Sequence, residues 1–172
     1  MAPQGAARGA HPSDTLSPVI IERQNLIHAP TDQVWARVIT PEGINDELRP
    51  WMTMSMPHGA KDLTVDTVPV GAPVGRCWMR LFGVVPFDYD NLMIAELWPG
   101  RGFDEQSTML SMRSWRHERT LNPGGDGETT ILRDRLTFQL RLPLRILTPL
   151  IAMGVRALFG HRQRRLQQHF TS

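Results

Sequence analysis

Between Val19 and Leu142 apolar and polar residues alternate in short runs, and beyond Thr148 the apolar spacing changes to three and four. Side chains alternate across a strand and recur every three to four residues along a helix, so the switch marks a change from sheet to helix. The β-branched start of VIIERQNLIHAP predicts a strand from Val19 to about His28, closed by Ala29-Pro30. Thr31 or Asp32 can cap a short helix carrying Val34, Trp35 and Val38, and Pro41 opens a second that Pro50 ends. From Met52 the pattern is strand and turn: MTMSMPH, a loop over Lys61–Pro73, then strands over Val74–Phe82, Phe87–Trp98, Phe103–Leu110, Ser114–Leu121 and Glu128–Leu142. Thr148-Pro149 supplies a cap and a first-turn proline. Leu147, Ile151, Gly154, Val155, Leu158, Leu166 and Phe170 then mark a helix to about His169. The order predicts an α+β chain: about six to seven strands, two short helices after the first, and one long C-terminal helix.

Alternation also assigns faces. In the last strand Thr130, Leu132, Asp134, Leu136, Phe138 and Leu140 share one side, and Arg133 and Arg135 the other, so the first row faces the core. Asp134 is then a lone charge on an apolar face. Before it, Trp115, His117, Arg119 and Leu121 form the inner row, and one strand earlier Phe103, Glu105, Ser107 and Met109. A hairpin turning about NPGGDG places Trp115 opposite Asp134, His117 opposite Leu132, and Arg119 opposite Thr130 near the rim. Glu105, His117 and Asp134 thus share an apolar surface, where each charge must be paired or neutralised. A buried His and Asp in a sheet form either a satisfied structural network or a ligand contact, and the pattern leaves both open.

A chain of 172 residues, 41% hydrophobic and 21% charged, is long enough for one domain with its own core. Nineteen basic against seventeen acidic residues leave a net charge of +2, so composition gives no support to a nucleic-acid partner. Cys77, the single cysteine, excludes an internal disulfide and a cysteine-based zinc site and suits a reducing cytoplasm. Residues 1–17, rich in Ala, Gly and Pro, are expected to be a disordered tail, and residues 18–172 one domain. The apolar run Ile146–Phe159, interrupted by Arg156, is short for a bilayer, so stable membrane insertion is not expected. The basic run His161–Arg165 is expected on a solvated helix face.

No G-x-S-x-G, H-E-x-x-H, phosphate-binding loop or G-x-G-x-x-G is present. Histidines 11, 28, 58, 117, 161 and 169 show no metal-ligand spacing, so neither metal nor cofactor is expected and no catalytic residue is assigned. The five tryptophans, Trp78 and Trp115 among them, can line a pocket or fill a core. Met52, Met54 and Met56 suit an adaptable apolar wall.

Several stretches resemble one family. They are HAPTDQVWARVITPEGIN with Ala29-Pro30, Val34 and Trp35; Leu81-Phe82-Gly83-Val84-Val85-Pro86; Phe103-x-Glu105; Trp115-x-His117; Thr130-x-Leu132-x-Asp134; and Leu158-Phe159-x-x-Arg162. In order and spacing, from about Val19 to Phe170, they resemble the SRPBCC superfamily of START-like, helix-grip proteins, and among these the bacterial polyketide cyclase/dehydrase-like members. Arg119 stands where that pattern has a second histidine, and Glu105 where aspartate is more usual. The resemblance implies a helix-grip fold, with a curved antiparallel sheet wrapped on the long helix. It also implies a cavity between them for a lipid, polyketide or isoprenoid-like ligand.

The expected function is therefore binding of a small hydrophobic ligand, in a monomer or homodimer, with Glu105, Trp115, His117, Asp134, Trp78, Phe138 and Val155 as ligand-contact candidates. The alternative is a polyketide aromatase/cyclase or dehydratase with His117 and Asp134 or Glu105 as general acid and base. An interaction module using the arginine-bearing helix is a third reading.

Overall fold

The computed structural model describes residues 17–57 and 63–171. The expected tail, residues 1–17, lies outside them except for Ser17. Strand β1 (Val19–Ile27) leads into helices α1 (Thr31–Val38) and α2 (Pro41–Leu48). Six strands follow: β2 (Met52–Met54), β3 (Pro73–Leu81), β4 (Val85–Trp98), β5 (Gly102–Met109), β6 (Met112–Pro123) and β7 (Thr130–Leu140). A 3-10 turn, Leu142–Leu147, delivers the chain to α3 (Thr148–His169).

Among the described residues the strands form one antiparallel sheet in the order β1-β7-β6-β5-β4-β3-β2. Only the β1–β7 contact is not sequential, so the meander closes by bringing the first strand beside the last. Register shifts in β3, β4 and β6 each place an extra residue in one strand. Such bulges bend and twist a sheet, and here they accompany its wrapping about α3. The architecture is the predicted α+β helix-grip arrangement.

The assigned faces hold. Asp134 is 1% exposed among Leu132, Leu136 and Phe138, while Arg133 and Arg135 point to solvent. The predicted β6–β7 register does not hold. Trp115 lies opposite Phe138, His117 opposite Leu136, and Arg119 opposite Asp134. The cause is the turn. Asn122 and Pro123 stay in β6, and the loop closes from Gly124 N–H to the Thr129 carbonyl at 2.7 Å. Asp126 fixes that loop by accepting from the Glu128 and Thr129 amides and the Thr129 hydroxyl. The shift is by an even number of residues, so every side chain keeps its face.

Neither Thr31 nor Asp32 caps α1; Pro30 holds that position and no side chain caps it. Thr40 caps α2, its hydroxyl accepting from the Gly43 amide at 3.0 Å. A Cβ at Gly43 would sit 1.9 Å from the Arg37 carbonyl oxygen, so only glycine allows α2 to fold back this closely on α1.

Helix α3 spans the predicted residues and buries Leu166 of the predicted apolar row, together with Phe159, Arg162 and Gln163, which that row did not include. Arg162 and Gln163 therefore leave the solvated face expected for His161–Arg165. The run Leu142–His169, 28 residues with a window of mean hydropathy 1.5, is by length and composition long and apolar enough to cross a membrane. Ile146–Phe159 alone underestimated it. In this fold it is the core helix, yet only 6% of that window is buried. Its inner residues Ile151, Gly154, Val155 and Leu158 line a cavity, Ile151 and Val155 also packing in part on the core, and its outer residues, Leu150 and Met153, are exposed.

Candidate functional site

The cavity lies between the sheet and α3, with α2 and the segment after it along one side, and has a volume of about 860 Å³. Its wall is apolar over most of its extent, with Met52, Met54, Met56, Leu92, Ile94 and Trp115 among the contributors. The methionine cluster of β2 thus lies where the sequence suggested, in an adaptable wall.

The deep wall carries polar residues from three strands: Asp88 and Asp90 on β4, Glu105 on β5 and His117 on β6. Asp88 is saturated. It accepts from the Tyr89 amide at 2.8 Å, the Leu110 amide at 2.9 Å and the Ser111 hydroxyl, and so ties β4 to the β5–β6 turn. Glu105 accepts from the Ser107 hydroxyl at 3.2 Å and faces His117 Nδ1 at 3.8 Å. The His117 ring is edge-on to Phe103 and Phe159, with centroids at 5.4 and 5.0 Å, so packing fixes its plane.

Behind the wall the polar groups continue as a closed network. His117 Nε2 lies 2.8 Å from Asp134 Oδ1. Arg119 donates to both Asp134 oxygens, at 2.7 and 3.2 Å, and Gln163 donates to Oδ2 at 2.9 Å. The same guanidinium donates to both oxygens of Glu47 on α2, at 2.9 and 3.1 Å. Arg162 on α3 also reaches Glu47, at 3.0 Å from Nε and 2.9 Å from Nη2. Burial works to raise the Asp134 carboxyl, but the Arg119 charge and the bonds from His117 and Arg119 outweigh it and hold it well below the usual range. Burial works against the Arg119 charge, and the carboxylates of Asp134 and Glu47 overcome it, raising its proton affinity further. A buried carboxylate with four donors around it is a structural joint, here locking β6, β7, α2 and α3 together.

Of the ligand-contact candidates, Glu105, Trp115, His117 and Val155 line the cavity. Asp134 and Phe138 do not; they are buried one layer further in, Phe138 beneath Trp115 at 5.9 Å. Trp78 lies on the opposite face of β3, 42% exposed and edge-on to Tyr89. Its inward neighbour is Cys77, fully buried. Ring size favoured the tryptophan in the sequence, but alternation along β3 decides the face.

Asp90, Glu47 and Arg162 were missed; Arg119 was placed on the inner row but near the rim, and is instead 1% exposed opposite Asp134. For Asp90 a signal existed, since counting back in twos from Ile94 along FDYDNLMIAELW puts Asp90 and Asp88 in the inner row. Asp90 is 3% exposed, and burial, then the charge of Glu105 and a hydrogen bond with it, pushes its carboxyl well above the ordinary range. For Glu105 burial acts upward too, but its bond with His117, that ring's charge, and the bond from Asp90 hold it low. Cys77 beside them is pushed up to about 12 by burial and by the two carboxyls.

The sheet and the helix that grips it define a START-like helix-grip fold. Structural likeness agrees. Protein CV1439 from Chromobacterium violaceum superposes with TM-score 0.65 at 14% identity, over 89% of this chain and 98% of that one. A START superfamily protein from Mycobacterium smegmatis gives 0.62 at 9%, over 88% and 97%. DynU16, a protein in the dynemicin biosynthetic locus, gives 0.59 at 16% over 89% of this chain, which spans only 47% of DynU16. At such identities the likeness is one of fold. No curated protein matches the chain by sequence. The chain belongs to the family described as a domain of unknown function (DUF8410), whose model matches residues 25–170.

Proposed function

We propose that this chain binds one small hydrophobic ligand of lipid, polyketide or isoprenoid type in the cavity between α3 and the sheet. The observation that carries this reading is the cavity itself, about 860 Å³ with a largely apolar wall. That volume lies in the range of sites that enclose a small organic molecule. Trp115 and Val155 would supply apolar contact, and Glu105 and His117 would set the ligand's orientation. Residues 18–172 are read as one soluble, cytoplasmic domain, supported by the single sheet, its closing helix and the lone reduced Cys77. The test is native mass spectrometry of the purified protein, followed by extraction. A stoichiometric apolar adduct is the expected result, and a bare chain after incubation with an apolar extract of the source cells contradicts it.

The contact between Glu105 and His117 supports a second reading, acid–base chemistry on a polyketide-like chain, as in a cyclase or dehydratase. The acid–base pair would then be Glu105 and His117, because Asp134 has its donors already in place behind the wall. Under this reading His117→Gln abolishes turnover of a poly-β-keto substrate while binding survives; equal turnover by the variant excludes it.

A further inference from the structure

Exposed apolar side chains gather at one end of the molecule. In an antiparallel meander every second connection falls at the same end. Here these are the β3–β4 turn, the β5–β6 turn and the step from β7 into the 3-10 turn. Hydrogen bonds tie the three together. Asp88, near the start of β4, accepts from the Leu110 and Ser111 amides at 2.9 and 3.4 Å, and the Arg141 amide donates to the Ser111 carbonyl at 3.0 Å. On the β3–β4 turn Phe82, Val84 and Val85 are 56–73% exposed. On the last segment Ile146, Leu150 and Met153 are 60–86% exposed, and Leu110 and Leu142 are exposed beside them. Single exposed apolar residues are ordinary, whereas a cluster of this kind marks a contact surface. Trp51, Leu81 and Phe87 both line the cavity and reach solvent, so the same face borders the cavity's opening.

We propose that this face docks reversibly on an anionic lipid bilayer, with the β3–β4 turn and the exposed side of the 3-10 turn and α3 entering the headgroup layer together. Charge decides the occupant. Residues 79–87, 109–113 and 141–171 contain no Asp or Glu, and the adjoining Asp88 is buried. Arg113, Arg141 and Arg156 are exposed on these segments. The face is therefore apolar with cationic residues around it. A second copy bound through the same face would set arginines against arginines, because a two-fold contact places one patch on itself. An anionic bilayer complements both features: its acyl boundary takes the aliphatic and aromatic side chains, and its phosphates take the guanidinium groups. A bilayer-spanning α3 is the less economical alternative. It would withdraw Arg162 from Glu47 and Gln163 from Asp134, whereas docking from outside leaves both bonds in place.

The test is co-sedimentation of the full chain with sucrose-loaded vesicles, made of phosphatidylcholine alone or of equal parts phosphatidylcholine and phosphatidylglycerol. Wild type should bind the mixed vesicles at least tenfold more tightly than the neutral ones, and added salt should weaken that binding. Val84→Asp and Ile146→Asp, one on each arm of the face, should each weaken it at least tenfold. Leu26→Asp, exposed toward the opposite end of β1, should bind as wild type does. If the Val84 and Ile146 variants bind as wild type, or if wild type binds neither vesicle, the proposal is overturned. Equal affinity for the two vesicles overturns the anionic-lipid assignment. Self-association that Val84→Asp abolishes, without vesicle binding, would give the face to a second copy instead. Should either variant not fold, hydrogen exchange on wild type decides. Mixed vesicles should protect residues 82–86 and 142–153, and protection confined to other segments refutes the docking face.

Discussion

Arg119 on β6 forms a two-pronged ion pair with Glu47 on α2, at 2.9 and 3.1 Å, across 72 residues of sequence and with both side chains almost fully buried. The pair fastens α2 to the sheet, and Arg162 adds α3 to the same carboxylate. Removing one partner from such a pair leaves buried charge uncompensated. Glu47→Ala should therefore cost about 3–5 kcal/mol in urea unfolding. An unchanged midpoint would show that α2 is held by its apolar contacts alone.

Asp134→Asn should keep the fold's shape but lose about 3 kcal/mol at neutral pH, because an amide nitrogen would face Arg119 or Gln163 donors. The sign of the pH dependence follows from the low folded value. A carboxyl held below its unfolded value stabilises above that value and loses the contribution as pH falls. The gap between wild type and variant should be full above about pH 5, begin to narrow below about pH 4, and close only as pH falls through the lowered folded value. A gap that does not narrow between about pH 5 and about pH 2 would contradict the ionised network.

Asp90 has the opposite sign. Its carboxyl is raised in the fold, so the stability it contributes is complete below about pH 4, the unfolded value, and is lost as pH rises toward the folded one. Asp90→Asn does not titrate. Measured from pH 4 to 8, the variant should gain stability relative to wild type as pH increases. A pH-independent difference would mean that Asp90 is ionised in the fold.

Much of this was legible, and what was not has a common cause. Period-2 alternation put Asp134, His117, Trp115 and Glu105 on inner faces because local backbone geometry alone decides a face. Depth along the strand depends on the turn, and the Asp126 bonds moved that turn away from NPGGDG. The roles of Arg119, Glu47 and Arg162 are set by contacts between distant segments, and an arginine in a basic run looks solvated until its carboxylate is found. Trp78 was misplaced by weighting size over alternation, and Asp90 was passed over although the same alternation reaches it.

Gly154 sits inside α3, and a Cβ there meets no atom within 4 Å. Glycine within a helix costs roughly 0.5–1 kcal/mol relative to alanine. Gly154→Ala should raise stability by about that amount in thermal unfolding. A loss of stability would mean that the position does not tolerate a side chain.

Val155 lines the cavity from α3 and packs in part on the cluster around Trp115 and Phe159, so a larger side chain there would occupy ligand space. Calorimetric titration with 2-methylnaphthalene, on wild type and on a folded Val155→Trp variant, measures whether the cavity is the binding site. The account predicts saturable one-to-one binding with a negative heat-capacity change for wild type, and at least tenfold weaker binding for the variant. Equal affinity in the two proteins, or no saturable binding to wild type, would contradict it.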